Sequence, residues 1–199
     1  MTKTNQEIST SFQTLVEMMK ARALYPSVQE LIDFRDNTLP GMLKSAVRPV
    51  FALDFATCSL RVVYNLHPKF KVVDIRRLIT ESDATTVVLV TQSYPSTLAL
   101  KNLSVSDKEI NVFNIEELQY DVAKHSLVPK HEPIRGQAEI AATLKHLNVK
   151  TKSQLPQISS TEAMARYLAL KPGELVRITR YSPSAGEYIL YRCCFRGAL

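Results

Sequence analysis

Lys171-Pro172-Gly173-Glu174-Leu175-Val176-Arg177-Ile178-Thr179-Arg180-Tyr181, followed after a short break by Gly186-Glu187-Tyr188-Ile189-Leu190-Tyr191-Arg192-Cys193-Cys194, carries the sharpest local signals in the chain. Pro172 then Gly173 supplies the fixed negative φ and the positive φ that a type II turn requires. Two β-rich runs follow, Glu174 to Tyr181 and Glu187 to Cys194, and Ser184-Ala185-Gly186-Glu187 between them predicts a C-terminal hairpin. Arg177, Arg180 and Arg192 sit among apolar Val176, Ile178, Ile189 and Tyr191. In a strand, that spacing predicts one face in the core and an outward row of arginines.

Upstream, Gln137 to Leu147 predicts a polar helix, Ser153 to Ile158 an extended segment, and Thr161 to Leu170 a second helix. Residues 1–123 alternate differently. Thr4 and Glu7 have capping-box spacing before Ile8, Phe12, Leu15, Val16, Met19 and Ala23, which recur at helical intervals; Ser27 and Glu30 repeat the pattern for a helix to about Asp36. A loop is expected around Pro40-Gly41. Val50 to Phe55 and Leu60 to Leu66 predict adjacent strands, Asp74 a cap for a helix through Ile75, Leu78 and Ile79, and Thr86 to Thr91 a strand covered on both faces. A short helix over Thr97 to Asn102 and a strand from Glu109 to Asn114 complete an α/β pattern.

With 199 residues, 45% hydrophobic and 22% charged, the chain suits two ordinary globular domains, residues 1–123 and 124–199, rather than disorder or a fibrous repeat. No apolar run is long enough to cross a bilayer, and residues 1–11 are polar where a secretory signal would be apolar, so a soluble, unsecreted protein is expected. Three cysteines, Cys58 and the adjacent Cys193 and Cys194, suit a reducing compartment. The net charge of +6 is uneven: from Lys124 onward, 12 Lys and Arg face 5 Glu and no Asp, giving +7 there and −1 before it. Such a basic domain fits an acidic protein surface or nucleic acid, or is simply a well-solvated face.

Motifs for chemistry are sparse. His125 and His131, six apart with Pro129 between, lack the further ligands that structural zinc needs, so their rings are expected to bond loop carbonyls. Cys193 and Cys194, adjacent on a strand, point to opposite faces and cannot chelate together. Asp54 could begin a nuclease metal site, yet Leu60 to Leu66 lacks the acidic-x-Lys triplet such a site requires, and no phosphate loop or nucleophile elbow occurs.

Four ordered blocks identify a family. His125-Ser126-Leu127-Val128-Pro129-Lys130-His131, then Leu155-Pro156-Gln157-Ile158, then Ala165-Arg166-Tyr167-Leu168-Ala169-Leu170-Lys171-Pro172-Gly173-Glu174-Leu175-Val176-Arg177-Ile178, then Ser184-Ala185-Gly186-Glu187-Tyr188-Ile189-Leu190-Tyr191-Arg192 resemble the assembly domain of the fifth subunit of eukaryotic nuclear RNA polymerases and of its archaeal counterpart. Residues 1–123 resemble the eukaryotic subunit's N-terminal jaw domain through the opening helix, the Val87 to Thr91 strand with its Pro95-Ser96 turn, and Val112 to Leu118. The archaeal form lacks a jaw, so a eukaryotic or eukaryote-like viral polymerase is implied. Two departures stand out: Glu162-Ala163 where the family usually has Asp-Pro, and Ala169 where it usually has Gly.

The resemblance implies a restriction-endonuclease-like, three-layer α/β jaw domain and a small α+β assembly domain with a mixed sheet and helices on one face. It implies a nuclear, non-catalytic structural subunit with no cofactor, metal, membrane partner or small-molecule substrate. The expected partners are the largest subunit, other polymerase subunits and, weakly and without sequence preference, downstream duplex DNA. Docking would fall to His125, Pro129, His131, Leu155, Pro156, Arg166, Tyr167, Lys171, Gly173, Arg177, Arg180, Gly186, Tyr188, Tyr191 and Arg192; Ser93, Tyr94, Pro95 and Ser96 would approach DNA, or would merely cap the next helix. The competing expectation is a free-standing basic nucleic-acid-binding protein.

Overall fold

The computed structural model describes residues 3–25, 27–44, 49–67, 72–96, 98–100, 108–184 and 186–197. The chain divides into two compact units, Met1–Tyr120 and Asp121–Leu199.

In the first unit, strands β1 (Val50–Phe55), β2 (Leu60–Asn65), β3 (Thr86–Thr91) and β4 (Glu109–Asn114) form a sheet in that order. β1 runs antiparallel to β2, whereas the β2–β3 and β3–β4 pairs are parallel. Parallel strands must be covered on both faces, and every residue of β2 is buried. Helix α4 (Val72–Thr80) covers one face, where Ile75 and Ile79 pack with Val63, Val87 and Leu89. Helix α1 (Lys3–Arg22) meets the other. Ser11 Oγ donates to the Ile8 carbonyl at 2.8 Å, so the Tyr64 hydroxyl donates to Ser11 Oγ at 3.0 Å, and Phe12, Phe34 and Phe55 cluster beside them.

Several local expectations are corrected. Thr4 lies inside α1 instead of capping it, and Ala23 ends the helix with φ +50° instead of joining its buried face. Val28, not Ser27, occupies the N-cap of α2 (Gln29–Asp33) and makes no side-chain cap bond; Ser27 Oγ accepts from the Gln29 N–H at 3.1 Å, and the Glu30 carboxylate reaches forward to accept from the Thr57 N–H at 3.0 Å. The loop expected at Pro40-Gly41 is helical: α2 runs through a π-helical turn, Phe34–Thr38, into α3 (Leu39–Lys44). The Leu39 N–H bonds to the Phe34 carbonyl five residues back, so the change of register falls at Pro40, which has no N–H to place. α4 begins before Asp74. Of the helix expected over 97–102, only 98–100 are described; the rest lies outside the described residues.

The second unit carries a sheet of order β5-β7-β8-β6, from β5 (Lys130–Ile134), β6 (Gln157–Ser159), β7 (Leu175–Ser182) and β8 (Gly186–Phe195). The predicted hairpin is β7–β8, antiparallel from Ser182↔Gly186 to Leu175↔Cys193. The turn before it forms as expected, with Gly173 at φ +89° and the Glu174 N–H bonded to the Lys171 carbonyl at 3.0 Å. Helix α5 (Gln137–His146) closes one face through Ile140, against Ile134, Leu155, Leu175 and Cys193. The other face is not bare, as helices on one face would leave it. There the Cys194 thiol contacts the Leu170 carbonyl at 3.7 Å, in the segment after α6 (Ala163–Tyr167).

α6 is half the length expected, and both its ends coincide with the departures from the family pattern. Glu162 occupies the N-cap without a side-chain cap bond, and its carboxylate turns back to accept from the Ser159 N–H. Ala169 stops the chain at φ +50°, a conformation in which a Cβ costs about 1–2 kcal/mol. The greater freedom of an unfolded glycine offsets part of that gain. Ala169→Gly is therefore expected to raise unfolding stability by about 0.5–1 kcal/mol, read as an upward shift of the urea midpoint.

Candidate protein-docking surface

Register decides what each face of the second sheet presents. Leu175, Arg177, Thr179 and Tyr181 share one face of β7 and oppose Cys193, Tyr191, Ile189 and Glu187 of β8. Val176, Ile178 and Arg180 lie on the other, opposing Arg192, Leu190 and Tyr188. The predicted row of three arginines therefore does not exist: Arg177 is on one face, Arg180 and Arg192 on the opposite one. Odd and even positions of one strand cannot share a side. Ile189, expected in the core, is 47% exposed and lies diagonally beside Tyr181, which is 79% exposed.

Arg177 is engaged within its own sheet. It faces Glu132 of β5, with Nε and Nη2 at 2.8 and 2.6 Å from the same carboxylate oxygen, while Lys130 Nζ takes the other oxygen at 2.7 Å. The hydrogen bond from Lys130, then that from Arg177, holds the Glu132 carboxyl below its usual range. Sequence inspection missed Glu132, because the strand carrying it contains Pro133 and alternates poorly.

His131 lies on the opposite face, across from Ile178. Its Nδ1 donates to the Pro129 carbonyl at 2.7 Å, the loop-carbonyl bond expected. The His125 ring does the reverse and accepts from the Leu127 N–H at 3.2 Å. Burial lowers the His131 pKa, and Arg180 and Arg192 act in the same direction, against the Pro129 bond and Glu162. Arg192 bonds the Gln157 carbonyl at 3.4 Å, while Arg180 Nε is buried with no hydrogen-bond partner.

The remaining candidates divide into framework and surface. Leu155 and Tyr167 are buried inside the unit, and Gly173 bonds Cys194 through its N–H and Lys152 through its carbonyl. Pro156, Lys171 and Gly186 are exposed; Pro129, Arg166, Tyr188 and Tyr191 are half-buried. Cys193 and Cys194 diverge to opposite faces, and burial raises both thiol pKa values.

In the first unit, Ser93, Tyr94 and Ser96 are exposed beyond the end of β3 and Pro95 is buried. Tyr94 donates to Glu117 at 2.6 Å, and Ser96 Oγ accepts from the Ala99 N–H at 3.3 Å, the helix-capping role. Asp54 opposes Arg61, whose Nε stands 3.0 Å away but does not aim its N–H at the carboxylate, so the contact is ionic. Among the described residues, no group of three or more His, Cys, Asp or Glu is arranged to hold a metal ion.

Comparison with known proteins gives the class. Residues 120–194 match the family model described as RNA polymerase Rpb5, C-terminal domain. A Dictyostelium discoideum protein, DNA-directed RNA polymerases I, II, and III subunit rpabc1, is 30% identical over 148 residues, covering 71% of this chain and 74% of the relative. The archaeal subunit Rpo5 of Thermofilum pendens is 44% identical over 79 residues, 40% of this chain and 96% of the relative. An Arabidopsis thaliana relative, DNA-directed RNA polymerases IV and V subunit 5B, is 30% identical over 58% of this chain; that match spans about half the relative's length, 52%. The chain belongs to the family of the fifth subunit of DNA-directed RNA polymerases.

The lowered His131 pKa has a definite sign. The unfolded chain, with its histidine near 6.5, binds the proton more readily than the folded one, so stability falls as pH drops through and below about 6.5. The urea midpoint is expected to fall between about pH 7.5 and about pH 5.5, and to fall less in His131→Asn, which keeps a donor for Pro129 but does not titrate.

Proposed function

We propose that this chain is a non-catalytic structural subunit of a multisubunit DNA-dependent RNA polymerase of the nucleus. The observation that carries this is the family match: it spans nearly the whole sheet of the second unit, and the rpabc1 relative extends the similarity over 71% of the chain. In this reading residues 124–199 are the assembly domain and dock on the largest subunit. Residues 1–123 are the jaw, with a restriction-endonuclease-like three-layer fold, beside the entering duplex. Nucleotidyl transfer belongs to other subunits, and this chain contributes position and charge.

The basic balance of the second unit supports docking against an acidic surface, and the exposed Ser93 to Ser96 turn supports contact with phosphates without base recognition. The affinity-tagged chain is expected to recover polymerase activity in a large complex. Arg192→Glu should reduce the co-purifying largest subunit several-fold; recovery of only a 22.4 kDa species that binds DNA in a salt-sensitive way would favour a free-standing nucleic-acid-binding protein. In an assembled elongation complex, photo-cross-linkers placed at Ser93 and Ser96 should label downstream DNA, and labelling should fade as salt is raised.

A further inference from the structure

β8 is longer than the strand beside it. It spans Gly186–Phe195, but β6 pairs only with Cys193, Cys194 and Phe195, so Gly186–Arg192 has β7 on one side and, among the described residues, no strand on the other. The direction of its backbone groups follows from two bonds. The Cys193 N–H points to β6, reaching the Pro156 carbonyl at 2.9 Å, and the Cys194 N–H points to β7, reaching the Glu174 carbonyl at 2.9 Å. Alternation along the unbroken register then aims the N–H and C=O of Glu187, Ile189 and Tyr191 at the open side.

Open edges are normally guarded by proline, lysine or a bulge, because they template pairing with another chain. β5, at the opposite edge of this sheet, has such guards in Pro133 and Lys130. β8 has none between Tyr188 and Tyr191, and Ile189 and Tyr181 lie exposed on the face above it. On the face below, Arg192 borders the edge, and Arg180 brings a buried Nε that lacks a hydrogen-bond partner. The unit as a whole is basic.

We infer that the edge of β8 from Gly186 to Arg192 receives an extended segment of a partner polypeptide as an added strand. That segment is apolar where it lies beside Ile189 and acidic where it lies beside Arg192. Main-chain bonds to Glu187, Ile189 and Tyr191 supply much of the hold, and the alternating neighbours supply selectivity. This rests on the proposal that the unit docks on a larger polymerase subunit, and it names how.

The test is amide hydrogen exchange on the full chain, free and in the polymerase complex recovered through it. Ile189 and Tyr191 amides should exchange fast in the free chain, unlike Leu190, and slow by about tenfold or more in the complex. If the chain is in the complex and these amides still exchange fast, the strand-addition inference fails while docking stands. If no complex is recovered, both fail. If the amides are already protected in a free chain that sediments as a dimer, a second copy occupies the edge and the inference is overturned. Ile189→Pro removes one donor from the open side and none from the β7 pairing, so it should weaken retention about tenfold or more relative to Ile189→Ala. Equal retention of the two folded variants overturns the inference; where the proline variant does not fold, the exchange result decides.

Discussion

The second unit depends on the pairing of β7 with β8. These are the two central strands, and each edge strand bonds to only one of them. The hairpin also fills the core on both sides: Leu175 and Cys193 face α5, while Val176 and Ile178, both buried, face the other way. A slip of one residue would carry Leu175 away from α5 and turn Arg180 to that side, so burial on both faces fixes the register more firmly than burial on one could. The turn at Gly173 anchors that register, since its N–H is bonded to Cys194 directly across the sheet.

What was legible in the sequence follows from where local and tertiary preferences agree. β1, β3 and β4 were bounded to the residue, and β2 to within one, because Val, Leu and Thr runs flanked by turns leave few alternatives. β5 was not found: Lys130–Ile134 contains a histidine, a glutamate and a proline, and becomes a strand only because β7 offers a partner. The helix through Pro40 was hidden for the converse reason, a helix breaker made harmless by a π-helical turn. At the candidate docking surface, the side of the sheet on which each arginine lies was not read. The separation of Arg177 from Arg180 lies in the parity of their positions, whereas the ion pairs that occupy Arg177 needed the unseen strand.

In the first unit the comparable constraint is burial of β2 and β3 on both faces. It requires α1 and α4 together, and it admits the Tyr64 hydroxyl to the interior only because Ser11 accepts its hydrogen bond. Burial pushes the Tyr64 ionisation far upward, so that phenol remains a neutral donor. Asp54, the residue around which a catalytic metal site could have grown, opposes an arginine instead.

The spacing of the second sheet along the chain also orders its assembly in time. β7 and β8 are separated by only a three-residue connection, 183–185, whereas the Glu132–Arg177 contact closes a loop of about 45 residues and therefore costs more chain entropy. Loop closure thus favours early formation of the hairpin, with β5 and β6 condensing onto it later. For part of its folding the hairpin exposes both of its outer edges, whereas in the finished sheet β5 covers that of β7 and β6 the Cys193–Phe195 end of that of β8, and during that interval a nascent molecule is most open to pairing with a foreign strand.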